Sequence, residues 1–335
     1  MKHKDIADKL QVSTATVSNA LSGKGRMRPR LRQEIIALAE SGGYNTKNPP
    51  IRRQSSNLIT VLAEQLADVF PHRILTGISR AARENGLLLQ IHDMGMAEFG
   101  FSISPGNRQF SGFVRESLRM VDSRSMGLIY LSQYPRDLTG LLPKLSYPVV
   151  YAYGYTDDSG YCVNVDDEQG ACMATTYLLE HGSQRPAMLC GPVDNIPTSN
   201  RYIGFQRALV HNSLPLEPEL IRISDWNAIS GYVATKELLV LPGRPDAIFA
   251  QDDALAMGAI RAALEKGLQI PRDISVIGFD NLIAEFTTPT MSTVNPPFER
   301  VGEIAAETLL RIIRGKAPEK KKLTVPCSLE LRESC

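Results

Sequence analysis

Strand-length apolar runs alternate with helix-length amphipathic segments from Leu58 almost to the end of this 335-residue chain. The strand candidates include "LITVLA", "LLLQIH", "GLIYL", "VVYAY", "CVNV", "AMLC", "AIFAQ" and "ISVIGF". The helix candidates lie near residues 73–85, 167–181, 199–211, 228–239 and 252–266. Repeated β-α units of this kind predict parallel sheets covered by helices on both faces. Ligands of such sheets bind at the carboxyl ends of the strands, so candidate site residues are expected there.

Charge is distributed unevenly along the chain. Through Asn57, eleven lysine and arginine residues stand against four carboxylates, a balance of +7; the whole chain carries +1, so the remainder carries −6. A basic head on an acidic body indicates that the head, and not the body, meets a polyanion. The body contains neither GxGxxG nor GxxxxGK[ST], which gives no support for a nucleotide-phosphate cradle.

The head is predicted to form three short helices. A first helix covers residues 4–10, and Ser13 caps a second. The glycines of "GKG" end the second helix, and Pro29 begins the third. The inward-facing apolar residues are Ile6, Ala7, Leu10, Val17, Ala20, Leu21, Leu31, Ile35, Leu38 and Ala39. Two short helices joined by a tight turn and supported by a third are typical of a helix-turn-helix domain.

The second helix leaves small side chains facing outward, namely Thr14, Ala15, Thr16, Ser18 and Asn19. Short polar side chains fit a major groove about 12 Å wide, and asparagine can pair bidentately with adenine. Hydroxyls and flanking basic residues suit phosphate contacts, which position a protein without reading sequence. The alternative is a solvated helix that only happens to carry small polar residues. The cap, the glycine breaker, the helix spacing and the local charge together favour a DNA-recognition helix.

The stretch "IADKLQVSTATVSNALSGKGRMRPRLRQEIIALAESGGY" resembles the DNA-binding head of the lactose-repressor/galactose-repressor (LacI/GalR) family of bacterial transcription regulators. That family's pattern is IAxxAGVSxxTVSRVLN. The resemblance extends over nearly all of the body, through segments such as "PDAIFAQDDALAMGAIRAALEKGLQIPRDISVIGFDN". It implies an all-α helix-turn-helix head and an α/β two-lobed core with parallel sheets. This core is similar to the periplasmic sugar-binding proteins and is crossed three times by the chain.

The resemblance implies a division of the chain into a head, a hinge and a core. The head would cover residues 1–45, the hinge linker 46–57 and the effector-binding and dimerisation core 58–332. Within the core, the expected N-lobe is 58–161 with 291–320, and the expected C-lobe is 162–290 with 321–332.

The resemblance also implies roles for residues of the head. Thr14, Ala15 and Asn19 would read bases, and Thr16, Ser18 and Ser22 would contact the DNA backbone. The flanking basic residues Lys2 and Arg26 suit phosphate contacts. Asn19 stands where the family usually has arginine, which removes a guanine-reading fork and predicts a different operator preference.

The linker "NTKNPPIRRQSSN" departs from the family pattern. In the family this segment forms a hinge helix on DNA, from which a leucine wedges into the minor groove. Here the linker is about two residues shorter, and Arg53 stands at the position expected for that leucine. Ile51 is then the apolar candidate for the wedge, and Arg53 suits a narrow minor groove. The alternative is a basic tether that never intercalates.

Candidate effector residues lie where strands end. A sugar pocket needs planar groups that pair with vicinal hydroxyls and an aromatic surface for the C–H face of the ring. The resemblance places seven residues there, namely Phe70, Tyr153, Asn195, Arg201, Trp226, Asp252 and Asp280. Asp253 is expected to cap the following helix, and Phe70 has the alternative of packing inside the N-lobe. An arginine with two carboxylates and a tryptophan suits a neutral polyol better than a purine or a phosphate.

These observations predict a DNA-binding transcriptional repressor of a sugar-utilisation operon, whose operator affinity changes when a small sugar binds between the lobes. The alternative is the same fold responding to a purine or nucleoside, or to a partner protein as co-repressor. Catalysis is not expected, because the five histidines are dispersed and no acid, base or nucleophile set converges. No cofactor or metal is predicted either.

The partners expected are operator DNA, a small effector and a second copy of the chain. The end of the sequence soon after the last strand predicts a dimer rather than a tetramer. The first residues, "MKHKDIADKL", carry charges throughout, which predicts no secretory signal, and no apolar window is long enough to span a membrane. With five scattered cysteines expected as reduced thiols, the sequence predicts a cytoplasmic protein.

Overall fold

The computed structural model describes residues 3–21, 27–41, 57–96, 107–157 and 159–335. The chain divides into two compact units, Met1–Ser56 and Asn57–Cys335. The second unit begins one residue before the predicted start of the core.

The first unit contains three helices, α1 (His3–Leu10), α2 (Thr14–Leu21) and α3 (Pro29–Ser41). Its core consists of six buried apolar residues, all of them predicted to face inward: Ile6, Ala7, Val17, Ala20, Ile35 and Ala39. The Ser13 hydroxyl accepts a hydrogen bond from the Thr16 amide at 3.0 Å, which confirms the predicted cap of α2. The first helix begins one residue earlier than predicted. The helix-turn-helix arrangement is therefore present.

The second unit contains two sheets, whose strands are numbered in chain order. The first sheet is formed by β1 (Leu58–Ala63), β2 (Leu88–Asp93), β3 (Leu128–Leu131), β4 (Val149–Ala152), β5 (Tyr161–Val165) and β11 (Lys322–Val325). The strand order is β11-β5-β4-β3-β1-β2, and every pair is parallel. The helices packed against this sheet are α4 (Val69–Glu84), α5 (Arg108–Leu118) and α10 (Phe298–Ile313).

The second sheet is formed by β6 (Pro186–Cys190), β7 (Ile221–Ile223), β8 (Ala247–Ala250), β9 (Ser275–Phe279), β10 (Ser292–Asn295) and β12 (Ser328–Glu330). The order is β12-β10-β9-β8-β6-β7, with only the β10–β12 pair antiparallel. Its helices are α6 (Asp167–Glu180), α7 (Ile196–His211), α8 (Ala228–Leu238) and α9 (Asp253–Glu265). Each sheet with its helices forms one lobe, so the predicted two-lobed α/β core is confirmed.

Strand pairing moves the boundaries between the lobes. We expected the C-lobe to begin at residue 162 and to include 321–332, but β5 and β11 pair with each other in the first sheet. We expected 291–320 in the N-lobe, but β10 pairs with β9 in the second sheet. The chain therefore crosses between β5 and α6, between β10 and α10, and between β11 and β12. The chain still crosses between the lobes three times, as predicted. Each crossing lies a few residues from its predicted position, because the strand beside it pairs into the sheet of the other lobe.

Helices α4 and α10 pack at unusually close range. A Cβ atom added to Gly77 would lie 1.8 Å from the Glu299 carbonyl oxygen, and one added to Gly302 would lie 1.9 Å from the Ile74 carbonyl oxygen. Only glycine permits this approach of two backbones. The contact fixes the start of α4, which carries Phe70, against the start of α10, which carries Phe298.

Candidate effector cavity and DNA-reading face

A cavity of about 100 Å³ lies between the two lobes, next to the carboxyl ends of the strands. Its lining includes all seven predicted effector residues, namely Phe70, Tyr153, Asn195, Arg201, Trp226, Asp252 and Asp280. Three further residues complete it, namely Tyr134, Pro135 and Pro197. The sequence analysis missed these three, although "SQYP" directly follows β3 and Pro197 follows Asn195, positions where a parallel sheet places its ligands.

Arg201 of α7 is almost completely buried and is held in place by other residues of the C-lobe. Its Nε donates to Asp167 at 2.8 Å, its Nη1 donates to the Gln251 carbonyl, and its Nη2 lies 3.7 Å from Asp280. The guanidinium stacks on the Phe279 ring at 3.6 Å. Burial alone lowers the pKa of Arg201, but the carboxylates of Asp167 and Asp280 outweigh it and raise the pKa. The arginine is therefore a fixed cation at the cavity wall.

Asp280 directly follows β9 and is also buried. Its backbone has φ +108°, a left-handed conformation that is costly for residues other than glycine. The amide of Asp280 donates to the Val294 carbonyl at 2.9 Å, which anchors the turn to β10. Burial raises the pKa of Asp280 well above its ordinary value, and Arg201 opposes this rise. Strained backbone of this kind clusters at ligand sites, which is consistent with a role for Asp280 in binding.

The two adjacent aspartates at the start of α9 have roles other than those expected. Asp253 was expected to cap the helix, but the cap is Asp252, whose Oδ1 accepts from the Leu255 amide at 2.6 Å. Asp253 instead accepts from the Thr293 hydroxyl at 2.6 Å and from the Leu282 amide at 2.7 Å. Asp253 thus joins α9 to β10, whereas Asp252 caps α9 and lines the cavity as well. Burial raises the pKa of Asp252 to about 6.

Trp226 lies just before α8, and its indole ring packs against the backbone at Gly191. A Cβ atom on Gly191 would lie 2.1 Å from the indole ring, so the ring rests directly on the backbone that follows β6. The Gly191 amide donates to the Gln251 side chain at 3.0 Å, and that side chain donates to the Thr198 carbonyl at 3.0 Å. Gln251 therefore connects the backbone against which Trp226 packs to the first turn of α7.

Aromatic residues of the N-lobe form the opposite wall. Phe70 lies with its ring centre 5.0 Å from that of Phe298 and 6.1 Å from that of Tyr153. Phe70 therefore does both things that were proposed for it, since it packs inside the N-lobe and lines the cavity. Tyr153 has φ +61°, a second left-handed residue in the same cavity wall. Asn195 caps α7, accepting from the Thr198 amide at 3.4 Å, and contributes to the C-lobe side.

The candidate DNA-reading residues form one face of α2. Thr14, Ala15, Ser18 and Asn19 are exposed, while Val17 and Ala20 are buried on the opposite face. Thr16 is half-buried, and its hydroxyl lies 2.8 Å from the Ser13 hydroxyl, so it belongs to the helix cap. Five other candidates, Lys2, Ser22, Arg26, Ile51 and Arg53, lie outside the described residues, as does the linker from residue 46 to residue 56.

Comparison with known proteins identifies relatives of this chain. Residues 175–335 match the family model of a periplasmic binding protein-like domain. The chain is 29% identical to the transcriptional repressor CytR of Escherichia coli, with 99% of this chain and 95% of CytR covered. It is 28% identical to the regulator CelR of Thermobifida fusca, with 96% and 95% covered. The chain therefore resembles transcriptional regulators of the LacI/GalR family over almost its whole length. The structure of a CelR–cellobiose complex superposes with a TM-score of 0.67 at 25% identity, and both chains are covered completely.

This similarity and the family model agree with the predictions of a helix-turn-helix regulator with a periplasmic-binding-protein-like core. The relatives are regulators and not enzymes, as the sequence analysis expected. Within the described part of the chain, no group of three or more histidine, cysteine or acidic residues is placed to hold a metal ion. No helix among the same residues is long and apolar enough to cross a membrane.

Proposed function

We propose that this chain is a cytoplasmic repressor of the LacI/GalR family that binds a palindromic operator as a dimer and changes its operator affinity when a neutral sugar binds between its lobes. The observation that carries the proposal is the cavity, in which one fixed guanidinium and two carboxylates face aromatic rings. Carboxylates accept hydrogen bonds from sugar hydroxyls, the guanidinium donates to ring and hydroxyl oxygens, and an aromatic face covers the C–H side of the ring.

The charge of the cavity supports a neutral ligand. Asp167, Asp252 and Asp280 surround the cation Arg201, and all four residues are at most 9% exposed. Burial raises the pKa of all three carboxyl groups, but two ionised carboxylates are enough to put negative charge in excess over Arg201 at a site with little water to screen it. A phosphate or uronate group would be repelled, because like charges interact strongly at low dielectric.

The size of the cavity links effector binding to movement of the lobes. A volume of about 100 Å³ holds about three waters at roughly 30 Å³ each, whereas ligand pockets usually measure about 300–1,000 Å³. A sugar therefore enters only if the lobes separate from the arrangement described here. Across the cleft, the Asn200 side chain donates to the Tyr155 hydroxyl at 3.2 Å, and opening breaks this bond. An effector that favours one degree of opening shifts the protein toward that state.

The exposed face of α2 supports the proposed operator contacts. Thr14, Ala15 and Asn19 would reach base edges in the major groove, and Asn19 would read adenine through its amide. Ser18 would contact the DNA backbone. Lys2, Thr16, Ser22 and Arg26 remain candidates for further backbone contacts, and Ile51 and Arg53 for contacts in the minor groove.

A nucleoside is the second candidate effector, and one observation favours it. Phe70 of the N-lobe and Trp226 of the C-lobe line the same cavity from its two sides. Two such rings suit a flat base between them, while the carboxylates would accept hydrogen bonds from the ribose hydroxyls.

A thermal-shift screen tests the effector class. The probes are glucose, cellobiose, ribose, adenosine, uridine, glucuronate and glucose 6-phosphate, followed by fluorescence of Trp226, the only tryptophan. We expect a neutral sugar to raise the melting temperature, since a ligand that binds only the native state stabilises it by mass action. A nucleoside hit would favour the second candidate. The Asp280→Asn variant should lose the response, and a largest shift with glucuronate or glucose 6-phosphate would show that the charge argument is wrong.

Exposed apolar residues of the C-lobe support the proposed dimer. Ile229 of α8 is 77% exposed and Phe286 is 84% exposed, and Met257 and Leu264 of α9 are exposed as well. Charges of both signs surround them, among them the ion pair of Arg261 with Glu265. A surface that carries apolar residues and both signs of charge can be complementary to itself around a two-fold axis, so a second copy is the partner we propose.

Ile229→Asp is expected to weaken self-association at least tenfold, because it places a carboxylate in an apolar contact between copies. Sedimentation equilibrium measures the change. Val210→Asp is the matched control, since Val210 is 72% exposed on α7, and it should leave the association constant unchanged. If Ile229→Asp and Val210→Asp associate equally strongly, α8 is not part of the interface.

A further inference from the structure

The N-lobe contains a buried carboxylate that the effector cavity does not use directly. Glu64 directly follows β1 and is completely buried. Its carboxylate accepts from the Gln133 amide at 2.8 Å and from the Arg136 Nη1 at 2.9 Å. The hydroxyls of Tyr130 and Ser132 and the second Arg136 nitrogen donate to it as well. Glu64 therefore holds the segment Ser132–Arg136 at both of its ends.

A second carboxylate holds the middle of the same segment. Asp68 precedes α4 at the N-cap position, but its side chain makes no hydrogen bond to the helix. Instead its Oδ2 accepts from the Gln133 side chain at 3.2 Å and from the Tyr134 hydroxyl at 3.2 Å. An aspartate at this position usually caps its helix, and here it contacts the segment after β3 instead.

The segment held in this way forms part of the cavity wall. Tyr134 and Pro135 line the cavity together with Phe70, which lies two residues beyond Asp68. We propose that the Glu64–Arg136 ion pair, with Asp68, positions Tyr134 and Pro135 and thereby sets the shape of the N-lobe wall against which the effector ring packs. This inference rests on the proposed effector site and adds to it a positioning device outside the cavity.

The chemistry of the pair explains why it suits positioning. A buried carboxylate is tolerated only when donors satisfy it, and Glu64 is satisfied only when the segment Ser132–Arg136 adopts this one conformation. The Arg136 guanidinium also lies 5.6 Å from the Phe110 ring of α5, which restricts its rotation. The wall is therefore held on two elements of regular structure, β1 and α4, and not on its own backbone alone. A binding site needs such support to keep its geometry within fractions of an ångström.

Acrylamide quenching of Trp226 fluorescence tests the proposal without any knowledge of the effector. Trp226 is partly exposed and lines the cavity, so the access of acrylamide, a small neutral probe, to its indole depends in part on the opposite wall. The double variant Glu64→Gln/Arg136→Met replaces the ion pair by neutral side chains, and we expect about twofold stronger quenching because the wall loosens. Tyr134→Phe keeps the ion pair and removes only the bonds of the Tyr134 hydroxyl to Asp68 and to the Gln133 side chain, so it should give a smaller increase. The single variant Arg136→Lys keeps the positive charge beside Glu64. Its quenching should therefore lie between that of the double variant and that of the unaltered protein.

The control is Arg185→Met/Glu217→Gln, which removes from the C-lobe an ion pair whose arginine is about as exposed as Arg136 and whose glutamate is more exposed than Glu64. It should leave the quenching constant unchanged. Equal quenching in folded Glu64→Gln/Arg136→Met and in the unaltered protein would overturn the proposal. If circular dichroism shows that the double variant is unfolded, Tyr134→Phe provides the test instead. Unchanged quenching in Tyr134→Phe would then also overturn the proposal. Loss of every effector response with the expected quenching pattern would count against the effector proposal but not against the positioning role.

Discussion

Arg201→Met is expected to lower the free energy of unfolding of the core by about 3–5 kcal/mol, the usual cost of removing one partner of a buried ion pair. The substitution leaves Asp167 and Asp280 buried beside each other without the cation that both face. It also removes the donor to the Gln251 carbonyl and the planar group stacked on Phe279. Methionine fills most of the volume, so lost charge pairing and not a cavity dominates the effect. Urea denaturation followed by circular dichroism measures it.

Arg207→Met on the same helix is the matched control. Arg207 pairs with Glu168 at 2.7 Å, but both side chains are exposed, and such pairs contribute roughly 0–1 kcal/mol. Adding Asp167→Asn to Arg201→Met should recover part of the loss, since it removes one of the stranded carboxylates. Equal losses for the two single methionine variants would mean that Arg201 does not stabilise the carboxylates as described.

The sequence located the cavity well and the lobe boundaries less well. Residues such as Arg201 and Asp280 follow strands or begin helices, positions that local pattern and the family resemblance both identify. Which sheet β11 joins is decided by pairing with β5, more than 150 residues earlier in the chain, and no local pattern contains that information. The short strands β7, β10, β11 and β12 were not among the candidates, because each mixes polar with apolar residues over three or four positions and forms no apolar run.

Three carboxylates, Asp252, Asp253 and Glu64, show the limit of interpretation from sequence alone. Asp252 and Asp253 are both good capping residues, and only the structure shows that Asp252 caps α9 while Asp253 bonds to Thr293. Glu64 was missed altogether, since a glutamate after a strand is usually solvated. Its burial depends on Arg136, whose position is fixed by tertiary structure and not by spacing.

Asp252→Asn is expected to stabilise the core at pH 7.5 by up to about 3 kcal/mol and to have no effect near pH 4. Burial raises the pKa of Asp252 in the folded protein from the ordinary aspartate value of 3.8 to about 6. A carboxyl group with a raised pKa binds its proton more tightly in the folded state. Its contribution to stability is therefore complete below pH 4 and is lost as the pH rises through 6. Asparagine cannot ionise, so it avoids this loss, and it keeps the oxygen that caps α9.

Melting temperatures measured between pH 4 and pH 8 give the decisive comparison. The curve of Asp252→Asn should lie above that of the unaltered protein at high pH and meet it at low pH. Removing the Asp252 charge also weakens the repulsion that helps to raise the pKa of Asp280, so the remaining decline should end at a lower pH. Asp225→Asn, on the exposed turn beside Trp226, is the control and should leave the curve unchanged. A constant offset at every pH would instead mean that asparagine is simply a better cap, and that burial of the Asp252 charge does not limit the stability of the core.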